Sequence, residues 1–177
     1  MTDATGGEFH VTSHTNDSDV VVEGTARLDS DMITAWQVLT DYHSYTQFVP
    51  GLRSSRVLRR QGDKVTVEQR ADVALGIFHE QVDVTYEISE HAPAVLDSRI
   101  VSGCDCGLES SYTLIASDSG VVLSFKSLLS TGTGIRAAFQ RSAGERSIRD
   151  HFHALATEME RRSMLARSST IHDATPR

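Results

Sequence analysis

Arg141 and Glu145 are separated by four positions in a segment with helical periodicity. This spacing places both side chains on one face of an α-helix, here its apolar side. Inside a cavity, the arginine would donate to a ligand carbonyl or carboxylate while the glutamate held the guanidinium in place. The alternative is a solvent-exposed ion pair, which stabilises a helix only slightly.

Glu80 and Gln69 are polar residues on otherwise apolar strand faces. Glu80 alternates with Phe78 and Val82, and a carboxyl group in an apolar cavity holds its proton more tightly, which suits general acid or base chemistry. If the strand ends near a sheet edge, Glu80 instead points into water. Gln69 would either orient a polar ligand group or bond to the backbone at a bulge.

Aromatic side chains supply candidates for the wall of an apolar cavity. Each of these rings either lines a cavity or belongs to a solid core, because both are built from the same inward faces. The candidates are Trp36, Phe48, Tyr86, Tyr112, Phe125 and Phe152.

Neither a metal site nor a cofactor is expected. Cys104 and Cys106 have no second ligand pair to complete a four-ligand site, and His151 and His153 lack the i,i+4 spacing that aligns two imidazoles on a helix. The remaining histidines are predicted to lie at the surface. No nucleotide-binding glycine loop and no nucleophile motif is present in the sequence.

Composition narrows the class of protein. The 177 residues suit one domain, and 39% hydrophobic with 23% charged residues is ordinary for a globular chain. A formal net charge of -7 argues against broad nucleic-acid binding. No apolar run has the length of a membrane span, no secretory signal is recognised at the N-terminus, and two cysteines build no disulfide framework. A cytoplasmic location is therefore expected.

Periodicity predicts the elements that must position these residues. A polar, disordered N-terminal tail, 1–17, to which Phe9 and Val11 would add at most a little edge structure, precedes a domain spanning 18–164, and a second disordered tail covers 165–177. Within the domain the pattern predicts a strand ending at Leu28, a helix capped by Asp29 and Ser30, a short aromatic turn, a run of strands joined by tight turns, and a long helix from Thr133 to Arg162. This order indicates an α+β protein with an antiparallel sheet covered on one side by helices.

The aromatic turn carries a family resemblance. It reads Asp41, Tyr45, Thr46, Phe48 and Pro50, and it is similar to the Asp-x-x-x-Tyr-Pro-x-Phe-x-Pro stretch that ends the first helix in START-like domains, with threonine in place of the first proline. A later Tyr112-x-Leu114 resembles the family's Trp-x-Phe/Leu, with tyrosine replacing tryptophan. The resemblance covers about Val20 to Arg162.

More narrowly, the chain resembles the polyketide cyclase/dehydrase-like and coenzyme-Q-binding START domains. The resemblance implies a helix-grip fold, in which a curved antiparallel sheet wraps around the C-terminal helix and leaves a cavity between them. The family includes lipid carriers, quinone binders, cyclases and ribosome-directed proteins, so the fold leaves the activity open.

Two functions follow as hypotheses. The leading one is a non-catalytic module that binds a quinone, lipid or polyketide-like molecule in the cavity. The alternative is a cyclase or dehydratase in which Glu80, Tyr112 or Arg141 moves protons or stabilises an enolate. The last helix also carries arginines that form either a solvated face or a contact surface for an acidic membrane or a protein partner: 136, 146, 149, 161 and 162.

Overall fold

An antiparallel sheet and one long C-terminal helix dominate the structure. The computed structural model describes residues 9–16, 18–75, 78–104, 106–133 and 135–173. The strands are β1 Phe9–Thr15, β2 Asp19–Leu28, β3 Leu52–Gln61, β4 Lys64–Leu75, β5 Phe78–His91, β6 Val95–Ser102, β7 Gly107–Ser117 and β8 Gly120–Ser130. The helices are α1 Met32–Thr40, a 3₁₀ helix Tyr42–Gln47 and α2 Ile135–Asp173.

The strands form one sheet in the order β1-β2-β8-β7-β6-β5-β4-β3. Each neighbouring pair is antiparallel, and β3 through β8, which follow one another in the chain, are also neighbours in the sheet and form a meander. Helix α2 packs against β2, β8 and β4 on the inner face, and α1 packs against α2. This arrangement confirms the predicted α+β helix-grip fold.

Alternating side chains explain why the sheet has one buried face. In β8 every second residue from Val121 to Leu129 is buried, and in β4 the buried residues are Val65, Val67 and Gln69. Successive Cβ atoms of a strand point to opposite faces, so this pattern directs one apolar row onto the helix. The outer face instead carries cross-strand ion pairs such as Arg70–Asp83 and Arg99–Glu87.

The start of α1 differs from the sequence prediction. The N-cap is Asp31, neither Asp29 nor Ser30, and the Asp31 carboxylate accepts from Thr34 N at 2.8 Å. The residues predicted to cap the helix hold it against α2 instead. Asp29 pairs with Arg167, and Ser30 Oγ lies 2.8 Å from Ser163 Oγ. Capping potential is local, but these partners lie 138 and 133 residues further along the chain, so the spacing of nearby residues cannot predict them.

Both predicted tails contain regular structure. Residues 9–15 form the edge strand β1 on β2, because Phe9 and Val11 pack against the core cluster. Helix α2 continues past the predicted end at Arg162 to Asp173, with Arg167 held by Asp29. The rest of these tails, 1–8, 17 and 174–177, lies outside the described residues.

Two glycines allow the helix and the sheet to approach closely. A Cβ on Gly24 would lie 2.6 Å from Phe125 Cε1 and 3.1 Å from Phe152 Cε1. A Cβ on Gly144, which sequence analysis does not single out as a packing site, would collide with Leu129. Glycine at each position therefore lets α2 rest directly on β2 and β8.

Cys104 and Cys106, in the connection between β6 and β7, are joined by a disulfide. Among the helices of the described chain, none combines the length and apolarity that crossing a membrane requires.

Candidate functional site

A cavity of about 100 Å³ lies between the inner face of the sheet and α2. Strands β4 to β8 form its floor, the 3₁₀ helix closes one side, and α2 covers it. The residues that line it are mostly aromatic, aliphatic or hydroxyl-bearing: Tyr42, Tyr45, Gln69, Tyr86, Ile88, Leu96, Ser98, Leu108, Ser110, Tyr112, Ser127, Ser147, Ile148 and His151.

The 3₁₀ helix contributes two tyrosine rings whose hydroxyls are already bonded. Tyr42 Oη donates to Glu90 Oε1 at 2.7 Å, and Tyr45 Oη donates to the Leu39 carbonyl at 2.6 Å. The two rings also pack edge to face, with centroids 5.8 Å apart. These bonds fix the rings as an apolar wall, because the polar atoms point away from a ligand.

Tyr86 and Tyr112 are placed differently. They come from β5 and β7, and neither hydroxyl makes a hydrogen bond to another described residue. Burial raises the pKa of Tyr86 to about 12, and burial together with the neighbouring Tyr86 raises the pKa of Tyr112. Both groups are therefore neutral phenols at neutral pH, able to donate to a ligand oxygen.

His151 is the imidazole of the cavity, a position that sequence analysis, which considered His151 only as a metal ligand, did not identify. Its ring packs edge-on against Tyr45, with centroids 5.4 Å apart, and burial lowers its pKa to about 4. It is neutral at neutral pH and offers one donor and one acceptor nitrogen. Helical spacing contained the signal, because His151 lies three residues after Ile148 and four before Leu155, both on the apolar side.

Small polar groups complete the floor. Gln69 Nε2 donates to Ser55 Oγ at 3.3 Å, which leaves the Gln69 carbonyl as an acceptor. Ser110 Oγ and Ser127 Oγ lie 2.6 Å apart on neighbouring strands and form a hydrogen bond. Sequence analysis identified Gln69 but none of the serines, because a serine on an inner face has no distinctive pattern.

Three predicted residues, Gln69, Tyr86 and Tyr112, therefore meet at this cavity. Phe125 and Phe152 lie behind it and belong to the core: their rings stack at 4.5 Å, and Phe125 stacks on Tyr112 at 5.8 Å. Trp36 and Phe48 are half-buried against the same core, and neither lines the cavity.

Glu80 does not reach the cavity. It is exposed near the start of β5, where β5 pairs with β4 but the described pairing with β6, from Thr85 to His91, has not begun. This part of the hairpin extends beyond the sheet covered by α2. Glu80 is therefore exposed to solvent, as expected if the strand ends near a sheet edge.

Arg141 and Glu145 do not pair with each other. Arg141 donates to the Gly132 carbonyl at 2.9 Å and closes the loop before α2. Glu145 accepts from Ser13 Oγ at 2.6 Å and pairs with Arg149 at 3.1 Å. The side of α2 that carries Glu145 is covered by β1, a strand that sequence analysis did not predict.

The predicted basic face of α2 is largely neutralised by internal pairs. Arg149 pairs with Glu145, while Arg161 and Arg162 both bind Glu158 at 2.6 and 2.7 Å. Arg162 also reaches Asp41 at 2.9 Å and ties the end of α1 to α2. Arg146 is exposed, and the side chain of Arg136 lies outside the described residues.

Metal ligands do not cluster in the part of the chain that the structure describes: no three His, Cys, Asp or Glu side chains there could hold an ion together. The cavity is instead lined by side chains without a formal charge, a few of which can form hydrogen bonds with a ligand. Such a site can bind an apolar or amphipathic molecule and orient its oxygen atoms.

Solved structures with the same fold include proteins of several kinds. An aromatase/cyclase from Streptomyces sp. R1128 superposes with a TM-score of 0.67 at 16% identity, over 88% of this chain and 96% of that one. A STAR-related lipid transfer protein from Xanthomonas axonopodis gives 0.66 at 15% identity, over 90% and 96%. A START superfamily protein from Mycobacterium smegmatis gives 0.64 at 13% identity, over 82% and 98%.

Sequence comparison is more specific. No curated protein matches the chain. Residues 31–156, from the N-cap of α1 to the middle of α2, match the profile of the family described as polyketide cyclase / dehydrase and lipid transport. That span includes every lining residue of the cavity. Because it covers more than half of the chain, the protein belongs to the polyketide cyclase/dehydrase and lipid transport family.

Proposed function

We propose that the protein binds a hydrophobic or amphipathic small molecule, such as a quinone, lipid or polyketide-like compound, in the cavity beneath α2. The observation that carries the proposal is the cavity beneath α2, which four tyrosine rings and aliphatic side chains line. Gln69, Tyr86 and Tyr112 would contact the ligand directly. Phe125 and Phe152 would support Tyr112 from behind, and Phe48 would support Tyr45.

The size of the cavity favours a ring over an extended chain. About 100 Å³ of space compares with the roughly 150 Å³ of an engineered apolar cavity that accepts benzene. A ring-bearing head group such as a quinone or a phenol fits this volume, while any tail would leave through the cavity opening. Burial of apolar ligand area supplies the driving force, about 25 cal/mol per Å² before ordering costs.

A cavity-filling substitution tests the proposal. Leu108→Phe adds bulk to a lining residue, while Ile115→Phe makes the same kind of change at an exposed position of the same strand, β7. Native mass spectrometry of protein purified from its own host should show a co-purifying small molecule in the wild type and in Ile115→Phe. The molecule should be lost from Leu108→Phe. A ligand retained equally by all three proteins contradicts binding in this cavity.

A second candidate, a cyclase or dehydratase, is favoured by one observation: the neutral imidazole of His151 lies in the same cavity as the hydroxyls of Tyr86 and Tyr112. The hydroxyls would hold a ligand carbonyl while His151 took a proton from the adjacent carbon, which leaves an enolate whose oxygen accepts from the hydroxyls and an imidazolium that can return the proton. Of the three groups named from sequence, Tyr112 lines the cavity. Glu80 and Arg141 lie elsewhere.

Deuterium exchange separates the two candidates. Incubation of a small ketone such as acetophenone with the protein in heavy water should accelerate exchange of its α-hydrogens if His151 acts as a base. The acceleration should disappear in His151→Gln, whose fold is checked by circular dichroism. No acceleration in the wild type, with ketone binding demonstrated, would leave a non-catalytic binding protein.

A further inference from the structure

The cavity lining contains no charged side chain among the described residues. Its polar groups are the hydroxyls of serine and tyrosine, the amide of Gln69 and the imidazole of His151. An ionised ligand group placed there would lose its hydration without meeting a counter-ion. Such unpaired burial of charge is among the most unfavourable events in a protein interior.

His151 does not supply the missing charge. The ring of Tyr45 packs against it from the 3₁₀ helix, and Ser147 accompanies it on the same face of α2. No carboxylate of the described residues pairs with it to stabilise an imidazolium. Burial lowers its pKa to about 4, so the ring remains neutral at neutral pH.

Two arginines near the cavity wall, Arg60 and Arg162, already pair with carboxylates. Arg60 donates to both oxygens of Glu90, the carboxylate that accepts from Tyr42. Arg162 is held by Glu158 and Asp41. Turning either guanidinium toward a bound anion would abandon these contacts and leave a carboxylate unpaired, so neither arginine is available to a ligand.

From this geometry we infer that the cavity selects uncharged ligands, namely alcohols, phenols, ketones, quinones and amides, and excludes carboxylates and phosphates. The inference rests on the proposed binding function and narrows its ligand class. A fatty acid or a phospholipid head group would not occupy the cavity. The oxygen of any of these ligands would accept from Tyr86 or Tyr112, and an alcohol, phenol or amide would also donate to the Gln69 carbonyl or to His151.

A matched pair of probes tests the selection. Benzamide and benzoate have nearly the same shape, but only benzoate is charged at neutral pH. Titration of the labelled full-length protein, followed by NMR signals of the Tyr86, Tyr112 and His151 rings, should give at least about tenfold weaker binding for benzoate. Equal affinity, or tighter binding of benzoate, overturns the inference and leaves the proposed function intact.

A charge variant provides the converse test. Gln69→Lys places an ammonium in the cavity, and Ser117→Lys adds the same charge at an exposed end of β7. Benzoate affinity should rise at least about tenfold in Gln69→Lys alone, because the new cation pairs with the carboxylate. If Gln69→Lys does not fold by circular dichroism, the wild-type comparison of the two probes decides.

Failure of the proposed function would look different. In that case neither benzamide nor the neutral rings benzyl alcohol and p-cresol would shift the signals of the cavity residues. That outcome overturns both the binding function and the inference, whereas a reversed or absent preference between benzamide and benzoate overturns the inference alone.

Discussion

Two adjacent residues of α2 lie in different surroundings: His151 lines the cavity, and Phe152 belongs to the packed core. Phe152 is fully buried and stacks on Phe125 at 4.5 Å above Gly24, where helix and sheet are in contact. His151 lies over the cavity, between the 3₁₀ helix and strands β4 to β8. One helix therefore covers a solid aromatic core on one side and a hollow, polar-lined site on the other.

The difference comes from what the strands present. Under Phe152 the sheet offers a phenylalanine and a glycine, so rings fill the space completely. Under His151 it offers serines and the free hydroxyls of Tyr86 and Tyr112, which pack less densely and keep unused hydrogen-bonding capacity. Close packing stabilises the fold, while the unfilled polar region is where ligand chemistry is available.

The largest effect on stability is expected in the packed aromatic core around Phe152. Phe152→Ala should lower the free energy of unfolding by about 3–5 kcal/mol, because it removes a fully buried ring and leaves a cavity. Chemical denaturation measures the change. Phe48→Ala, at a half-buried ring, is the matched control and should cost clearly less; an equal loss would contradict the assignment of Phe152 to the packed core.

A smaller loss should follow from adding a methyl group in the same region. Gly24→Ala places a Cβ 2.6 Å from Phe125 and should cost about 1–3 kcal/mol in the free energy of unfolding. Gly107→Ala, where the nearest atom is 3.7 Å away, should be nearly neutral. Thermal unfolding of both variants tests the contrast, and an unaffected Gly24→Ala would show that helix and sheet are not in contact there.

The cavity side of α2 predicts that the free energy of unfolding depends on pH. The pKa of His151 is lowered to about 4 by burial, so the unfolded chain, with an ordinary value near 6.5, binds the proton more readily. The contribution of His151 is fully present above about pH 6.5 and is lost as pH falls toward 4, by roughly 1–3 kcal/mol. Unfolding free energies of the wild type and His151→Gln between pH 4 and 7.5 should therefore diverge; parallel curves would contradict a buried neutral ring.

The smallest effects separate bonded from unbonded tyrosine hydroxyls. Tyr45→Phe loses the hydrogen bond to Leu39 and should cost about 1 kcal/mol of stability. Tyr112→Phe removes a hydroxyl that has no hydrogen-bond partner among the described residues and should change stability by less than about 0.5 kcal/mol. Urea denaturation distinguishes them, and weaker binding of a ketone by Tyr112→Phe alone would sharpen the assignment of that hydroxyl to the ligand.

Sequence reasoning succeeded where the signal is periodic or local. Alternation in β4 and β8 identified inner faces correctly, and placed Gln69, Tyr86 and Tyr112 where the cavity is. It failed for β1, whose seven residues show little pattern but pair with β2, and this error propagated to Glu145. His151 was considered only as a metal ligand, although its neighbours at i−3 and i+4, Ile148 and Leu155, are apolar and buried.

By itself, the sequence determined the fold: hydrophobic periodicity specifies the strands and the long helix, and their order allows few arrangements other than a sheet wrapped on α2. Only the tertiary structure decided which inward-facing residues pack against an aromatic ring and which line the cavity. That distinction depends on side chains from different strands coming within a few ångströms of each other, as Gly24, Phe125 and Phe152 do, and no spacing along the chain encodes such distances.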